Sequence, residues 1–195
     1  MIQWAKTLMN HKNFVVLDTE TTGLDETGEI CEIAIVDPEG NILMDQLVKP
    51  FSKIPSDVIS IHGIDNDMVA HAPTLKDVYP KIIEATQGKL VVVYNASFDF
   101  RLITQSLAVA FELTNWTDLE KLDQLMVPIG RDWNCAMVRY AEYWKECTAG
   151  RSRGRWQKLG EACNQQGVEV KDAHRALGDC LLTLGLIKKL ASYGS

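Results

Sequence analysis

Asp18 and Glu20 close a short apolar run, Phe14-Val-Val-Leu-Asp18, which continues into Thr-Glu20-Thr-Thr-Gly23. If the run is a buried strand, its period of two turns both carboxylates to one face. Two carboxylates side by side repel unless a proton or a cation lies between them. Hard oxygen donors suit Mg²⁺ or Mn²⁺ better than zinc. Standing alone, the pair is equally compatible with a strand that ends in a polar turn. A second acid, Asp99, follows another apolar run, Leu90-Val-Val-Val-Tyr94, through Asn95-Ala-Ser-Phe-Asp99. That spacing puts it in the first turn of a helix, where a carboxylate also complements the helix dipole.

The third segment is Asp172-Ala-His174-Arg-Ala-Leu-Gly-Asp179. Apolar residues at 177, 180, 181, 184 and 187 mark an amphipathic helix that contains Asp179. On one continuous helix His174 would point about 140° away from Asp179. It reaches the side of that acid only from the loop or first turn leading in. A histidine there is otherwise a cap or a solvated residue.

The elements that must position these groups alternate along the chain. A short helix is expected around Ile2–Met9. The spacing predicts strands at Phe14–Asp18, Glu29–Asp37, Asn41–Lys49 and Leu90–Tyr94, and a last strand at Leu122–Val127 stopped by Pro128. Helices are expected from Thr74, as N-cap, to Thr86, and from Ser97, as cap, to about Phe111. Further helices are expected over Asp132–Lys145, Trp156–Gln166 and Ala173–Leu190. A meander followed by alternating helix and strand implies α/β architecture: a mixed central sheet with helices on both sides. The 195 residues suit a single domain over 1–195, with its core at about 14–190.

Composition narrows the class. Twenty basic against 26 acidic residues argue against a nucleic-acid coat protein or a polybasic membrane binder, but not against a nucleic-acid enzyme, because metal ions neutralise an acidic site locally. No run of about 18 apolar residues is present, so no membrane partner is expected. The N-terminus lacks a secretory layout. The cysteines (31, 135, 147, 163 and 180) are odd in number and none has C-x-x-C spacing, which implies reduced thiols and a cytoplasmic protein. A zinc site built on Cys163, His174 and another cysteine is the alternative.

Taken together, D-x-E, then N-x-x-x-D, then H-x-x-x-x-D resembles the DnaQ-like family of 3′→5′ exonucleases, also called DEDD exonucleases. A histidine five before the last aspartate matches the subtype whose general base is histidine. The tyrosine subtype would need a tyrosine at position 175, which is arginine here. Ile61-His-Gly-Ile64, with Asp65 and Asp67-Met-Val69, is similar to the loop after the third strand of proofreading exonucleases, including the polymerase III epsilon domain. The resemblance covers about Phe14 to Leu190.

The resemblance implies a ribonuclease-H-like fold, a five-stranded mixed sheet flanked by helices. It also implies two divalent cations, Mg²⁺ or Mn²⁺. Asp18, Glu20 and Asp179 would hold the first, Asp18 would bridge to the second, and Asp99 would support the second. His174 would take the proton from the attacking water, as a side chain that changes charge near neutral pH. The product would be nucleoside 5′-monophosphates. Thr21, Leu24, His62 and Asn95 are candidates for substrate contacts. For Leu24 the alternative is core packing, and for His62 a turn-stabilising hydrogen bond. Asn95 is also suited to holding its strand-to-helix turn, and Phe98 to the core.

From Arg139 to Lys158 there are six basic against two acidic residues. Arg151, Arg153 and Arg155 beside Trp156 suit an approaching single strand. The expected partner is single-stranded or 3′-tailed nucleic acid, DNA favoured over RNA. The alternative is an exoribonuclease, because the acids act at phosphorus and no motif reads the 2′-OH. An inactive binding module predicts loss of an acid, and all five positions are filled. The chain ends a few residues after its last helix, so a stand-alone enzyme is expected. The sequence is compatible with a polymerase partner and with a homodimer.

Overall fold

The computed structural model describes the chain except for Thr114, Arg131, Asp132, 150–154, 171–173 and Ser195. In order the elements are α1 (Ile2–His11), β1 (Phe14–Thr21), β2 (Ile30–Val36), β3 (Ile42–Leu47), α2 (Ser56–His62), α3 (Asn66–Val69), α4 (Leu75–Thr86), β4 (Leu90–Val93), α5 (Ala96–Ala110), α6 (Leu119–Met126), β5 (Asn134–Cys135), α7 (Ala136–Cys147), α8 (Leu159–Gln165) and α9 (Ala176–Ala191). The strands form one sheet in the order β3-β2-β1-β4-β5. β1–β2 and β2–β3 are antiparallel, and β1–β4 and β4–β5 are parallel. This is the mixed five-stranded sheet with flanking helices that the sequence implies.

Strand periodicity builds two separate cores. Phe14 and Val16 of β1 join Ala34, Val36 and Val92 under α1, α7, α8 and α9. Val15 and Leu17 join Ile33, Ile35, Val91 and Val93 under α4, α5 and α6. Each of these valine, leucine, isoleucine and phenylalanine side chains, removed from water, contributes roughly 1.5–3 kcal/mol. The parity continues past Leu17. Asp18 and Glu20 therefore lie on the α9 face, and Thr19 lies on the α5 face. β1 pairs with β4 only through Phe14–Val16, so its acidic end runs beyond β4. It reaches the crevice where α5 begins, the usual ligand position in sheets of this kind.

Two expectations about elements are overturned. Leu122–Val127 is not the last strand; it falls within α6 and its C-cap. Leu119, Leu122, Leu125 and Met126 recur every three or four residues with charges between them, which is a helical period. The fifth strand is Asn134–Cys135, pairing with Val92 and Val93, too short and polar to announce itself. The helix expected from Asp132 therefore starts at Ala136. Boundaries also shift at α5, where Asn95 is the N-cap and Ser97 lies in the first turn. α8 starts at Leu159 rather than Trp156, and α9 at Ala176. The Thr74 cap is present as a reciprocal box with Asp77. All five cysteines are free. Among the described residues no helix is long and apolar enough to cross a membrane.

Candidate active site

Asp18, Glu20 and Asp179 converge: one ligand oxygen from each lies within 4.8 Å of the others. Among the described residues this is the only such group of histidines, cysteines and acids, which leaves the zinc alternative without support. The geometry follows from the layers. Asp18 and Glu20 face α9, and α9 presents Asp179 from its first turn. Burial, then Asp99, Asp179 and Glu20 in turn, holds the Asp18 carboxyl well above the ordinary carboxylate range. Burial and Asp179 push Glu20 up to about 8. Burial also raises Asp179, while the His174 main chain and ring pull it back. Converging oxygen donors whose charge is unfavourable in isolation fit a divalent cation.

Asp99 stands apart from this trio. It is buried on α5, against the other face of β1, where the Thr19 hydroxyl donates to it at 2.8 Å. Burial raises it to about 7, against the opposing hydrogen bond from Thr19. It still adds to the raised Asp18, so the four acids form one electrostatic unit.

His174 lies on the turn leading into α9, where a shared approach to Asp179 requires it. Its backbone is left-handed, with φ 66°, a conformation uncommon outside glycine. It is exposed. The next residue shows what holds the turn. Arg175 forks onto Glu32, with Nε donating at 3.1 Å to each carboxylate oxygen and Nη2 closing a further contact. Glu32 also accepts from the Ala176 N–H at 2.9 Å. Glu32 is buried in β2 opposite Glu20. A single carboxylate thus ties the His174 turn and the start of α9 to the sheet. Sequence reasoning missed this pair. The signal was a lone glutamate inside an otherwise apolar strand, which must find a partner. Glu32→Ala should lower the free energy of unfolding by about 2 kcal/mol, below the usual cost of breaking a fully buried pair, because Arg175 is half exposed. Urea unfolding measures this, with Glu32→Gln expected to lose less.

Beside the trio opens a cavity of about 450 Å³, lined among others by Glu20, Thr21, Leu24, Lys53, His62 and Phe98. Leu24 is 77% exposed, so the core-packing alternative fails. Phe98 is also not in the core; it is half-buried on the cavity wall. His62 is buried, and its Nδ1 accepts the Ile64 N–H at 3.0 Å. Nε2 therefore carries the proton and donates to the Thr21 carbonyl at 3.2 Å. Burial keeps this ring below its ordinary range, in the neutral form. His62 thus performs the turn-stabilising role while lining the cavity. The Thr21 hydroxyl donates to the Gly23 carbonyl. Asn95 lies outside the cavity lining, and its carbonyl receives the Phe98 and Asp99 N–H groups at the head of α5. Arg151 and Arg153 lie outside the described residues. Arg155 is exposed, followed by Trp156, 71% exposed. The Tyr94 hydroxyl, donating to Gln157 at 2.6 Å, ties this segment to the end of β4.

The raised carboxyls give a test of the metal-free protein. Folding that raises the pKa of Glu20 favours the protonated form. The associated stability is complete below about pH 4 and is lost as the pH rises through the folded value of about 8. In EDTA, melting temperature should therefore fall more between about pH 5.5 and 8.5 for the wild type than for Glu20→Gln. A divalent cation should restore it most at the higher pH.

Comparison with known proteins places these residues in context. The RNase T family, described as exonuclease, matches residues 15–187. An uncharacterized exonuclease, CP81, of Escherichia phage 186 is 42% identical over 183 residues, covering 93% of this chain and 89% of that protein. The DNA polymerase III subunit epsilon of Buchnera aphidicola is 32% identical over 112 residues, 52% of this chain and 47% of the subunit. The solved structure of exonuclease X in complex with 5′ overhanging duplex DNA superimposes with a TM-score of 0.65 at 28% identity, covering 93% of both chains.

Proposed function

We propose that this chain, which belongs to the RNase T family of exonucleases as a DnaQ-like 3′→5′ enzyme, removes nucleoside 5′-monophosphates one at a time from the 3′ end of single-stranded or 3′-tailed DNA. The observation that carries the reading is the convergence of Asp18, Glu20 and Asp179 beside a cavity with an apolar rim. Those three side chains would hold one divalent cation, Mg²⁺ or Mn²⁺, with Asp18 shared and Asp99 supporting a second. Bound there, the pair would supply Lewis-acid chemistry to the attacking water and the leaving 3′-oxygen.

The chain's own groups do the remaining work. An imidazole nitrogen of His174 takes the proton of the attacking water, from a turn that Arg175 and Glu32 hold against β2. Thr19 fixes the Asp99 carboxylate. Leu24 and Phe98, on two walls of the cavity, offer apolar surface for the terminal base. Arg155 and Trp156 offer charge and a stacking face to the strand behind it.

Preference for DNA is supported by the duplex DNA bound to exonuclease X and by the similarity to the polymerase subunit. The test uses matched 3′-tailed DNA and RNA oligonucleotides carrying a 5′ label, with Mg²⁺ or with EDTA. A one-nucleotide ladder that forms faster on DNA and vanishes in EDTA is the expected result. Faster shortening of RNA would move the substrate to RNA with the same residues in the same roles. Release of the labelled 5′ nucleotide as the first product would overturn the reading.

A further inference from the structure

The loop that carries Leu24 is exposed at its tip, yet it is held from α5 by two side chains that the proposed chemistry does not use. Thr22 and Glu29 close its base: the Thr22 N–H donates to the Glu29 carbonyl at 2.8 Å, and the Glu29 N–H donates to the Thr22 hydroxyl at 3.0 Å. Gly28 crosses Gly23 so closely that a Cβ there would meet the Gly23 carbonyl oxygen at 2.5 Å. The tip receives its contacts from α5. Arg101 Nη2 donates to the Leu24 carbonyl at 2.9 Å, and Nη1 donates to the Asp25 carbonyl at 3.1 Å. Gln105, one turn on, donates to the Asp25 carbonyl at 3.2 Å and to the Gly28 carbonyl, and it accepts from Arg101 at 3.0 Å. The same guanidinium lies over the ring of Phe98, 5.6 Å from its centroid. Phe98, Arg101 and Gln105 are three and four residues apart, so one stripe of α5 faces the loop.

We propose that Arg101 is a positioning residue for the terminal nucleotide: it sets Leu24 against Phe98 and so fixes the width of the cavity before substrate arrives. Leu24 cannot do this itself, because its side chain has little protein to rest on. A planar fork reaches two successive carbonyls at once, whereas an ammonium is a point donor. Ordering the loop in advance removes a conformational cost from binding. The interaction is the same before and after the chemical step begins, so it acts on affinity rather than turnover.

This inference rests on the exonuclease reading, and the experiment separates the two. Steady-state kinetics are measured in Mg²⁺ on a single-stranded DNA oligonucleotide and on the same strand ending in an abasic nucleotide. The proteins are wild type, Arg101→Ala, Arg101→Lys, Leu24→Ala, the Arg101→Ala/Leu24→Ala double variant, and Asp18→Ala as the dead control. Arg101→Ala should raise KM about tenfold on the ordinary end, with kcat changed by less than about twofold. Arg101→Lys should fall between. The double variant should be no worse than Leu24→Ala, and on the abasic end Arg101→Ala should match wild type. Arg101 is exposed, and unchanged melting temperatures of both Arg101 variants verify the fold. Additive losses in the double variant, an equal loss on the abasic end, or an unchanged KM would overturn the positioning role while leaving the exonuclease reading intact. A wild type that shortens neither strand would remove both.

Discussion

Asp18→Asn is expected to lower turnover by about 10³-fold or more while raising the melting temperature of the metal-free protein. The two effects share one cause. Asp18 stands beside Glu20 and Asp179, all three half-buried, with the buried Asp99 behind them, so their mutual repulsion is only partly screened by water. The amide keeps the shape and removes one negative charge, so repulsion within the group falls. Relief of each kcal/mol should raise the midpoint by about 2–4 °C in a chain of this size. The same amide is a poor ligand and cannot bridge two cations. In Mg²⁺ the order should reverse, because the wild type gains stability from binding and the variant does not. Differential scanning calorimetry in EDTA and in Mg²⁺, beside the oligonucleotide assay, reads all three. A variant that melts below wild type in EDTA would show that the group is not repulsive. One that keeps its activity would remove Asp18 from the metal site.

His174→Asn is expected to reduce kcat by about 10²–10⁴-fold, with metal-linked stabilisation preserved. Asparagine tolerates the left-handed backbone that His174 adopts, so the turn and the Arg175–Glu32 pair are kept. The exposed ring carries little of the fold's packing. What is lost is the imidazole nitrogen that takes the proton of the attacking water. The oligonucleotide assay, beside calorimetry in EDTA and in Mg²⁺, reads both effects. A lost metal shift in melting temperature would instead make His174 a structural support of Asp179. Full activity would end its role as base.

Part of the candidate site was legible in the sequence because it is local. Asp18 and Glu20 share a face by strand period alone, and both face α9. The five-residue gap between His174 and Asp179 denies them a shared helix face, and His174 lies on the turn before Ala176 although the sequence pattern carried the helix back to Ala173. The α/β architecture was legible from apolar runs. The fifth strand was not, because Asn134 and Cys135 become a strand only by pairing with β4, and α6 shows that an apolar segment near the same length is helical.

Tertiary structure alone decided the partnerships. Thr19 meets Asp99 because opposite faces of one strand meet different helices. Glu32 announces in the sequence that it needs a cation, but only the packing of α9 on β2 names Arg175. Leu24 and Phe98 line one cavity, rather than the core, because Arg101 and Gln105 hold an exposed loop over α5. Strand and helix periods fix which way a side chain points. Which group it meets across a distance of scores of residues depends on how the layers stack, and no local pattern encodes that.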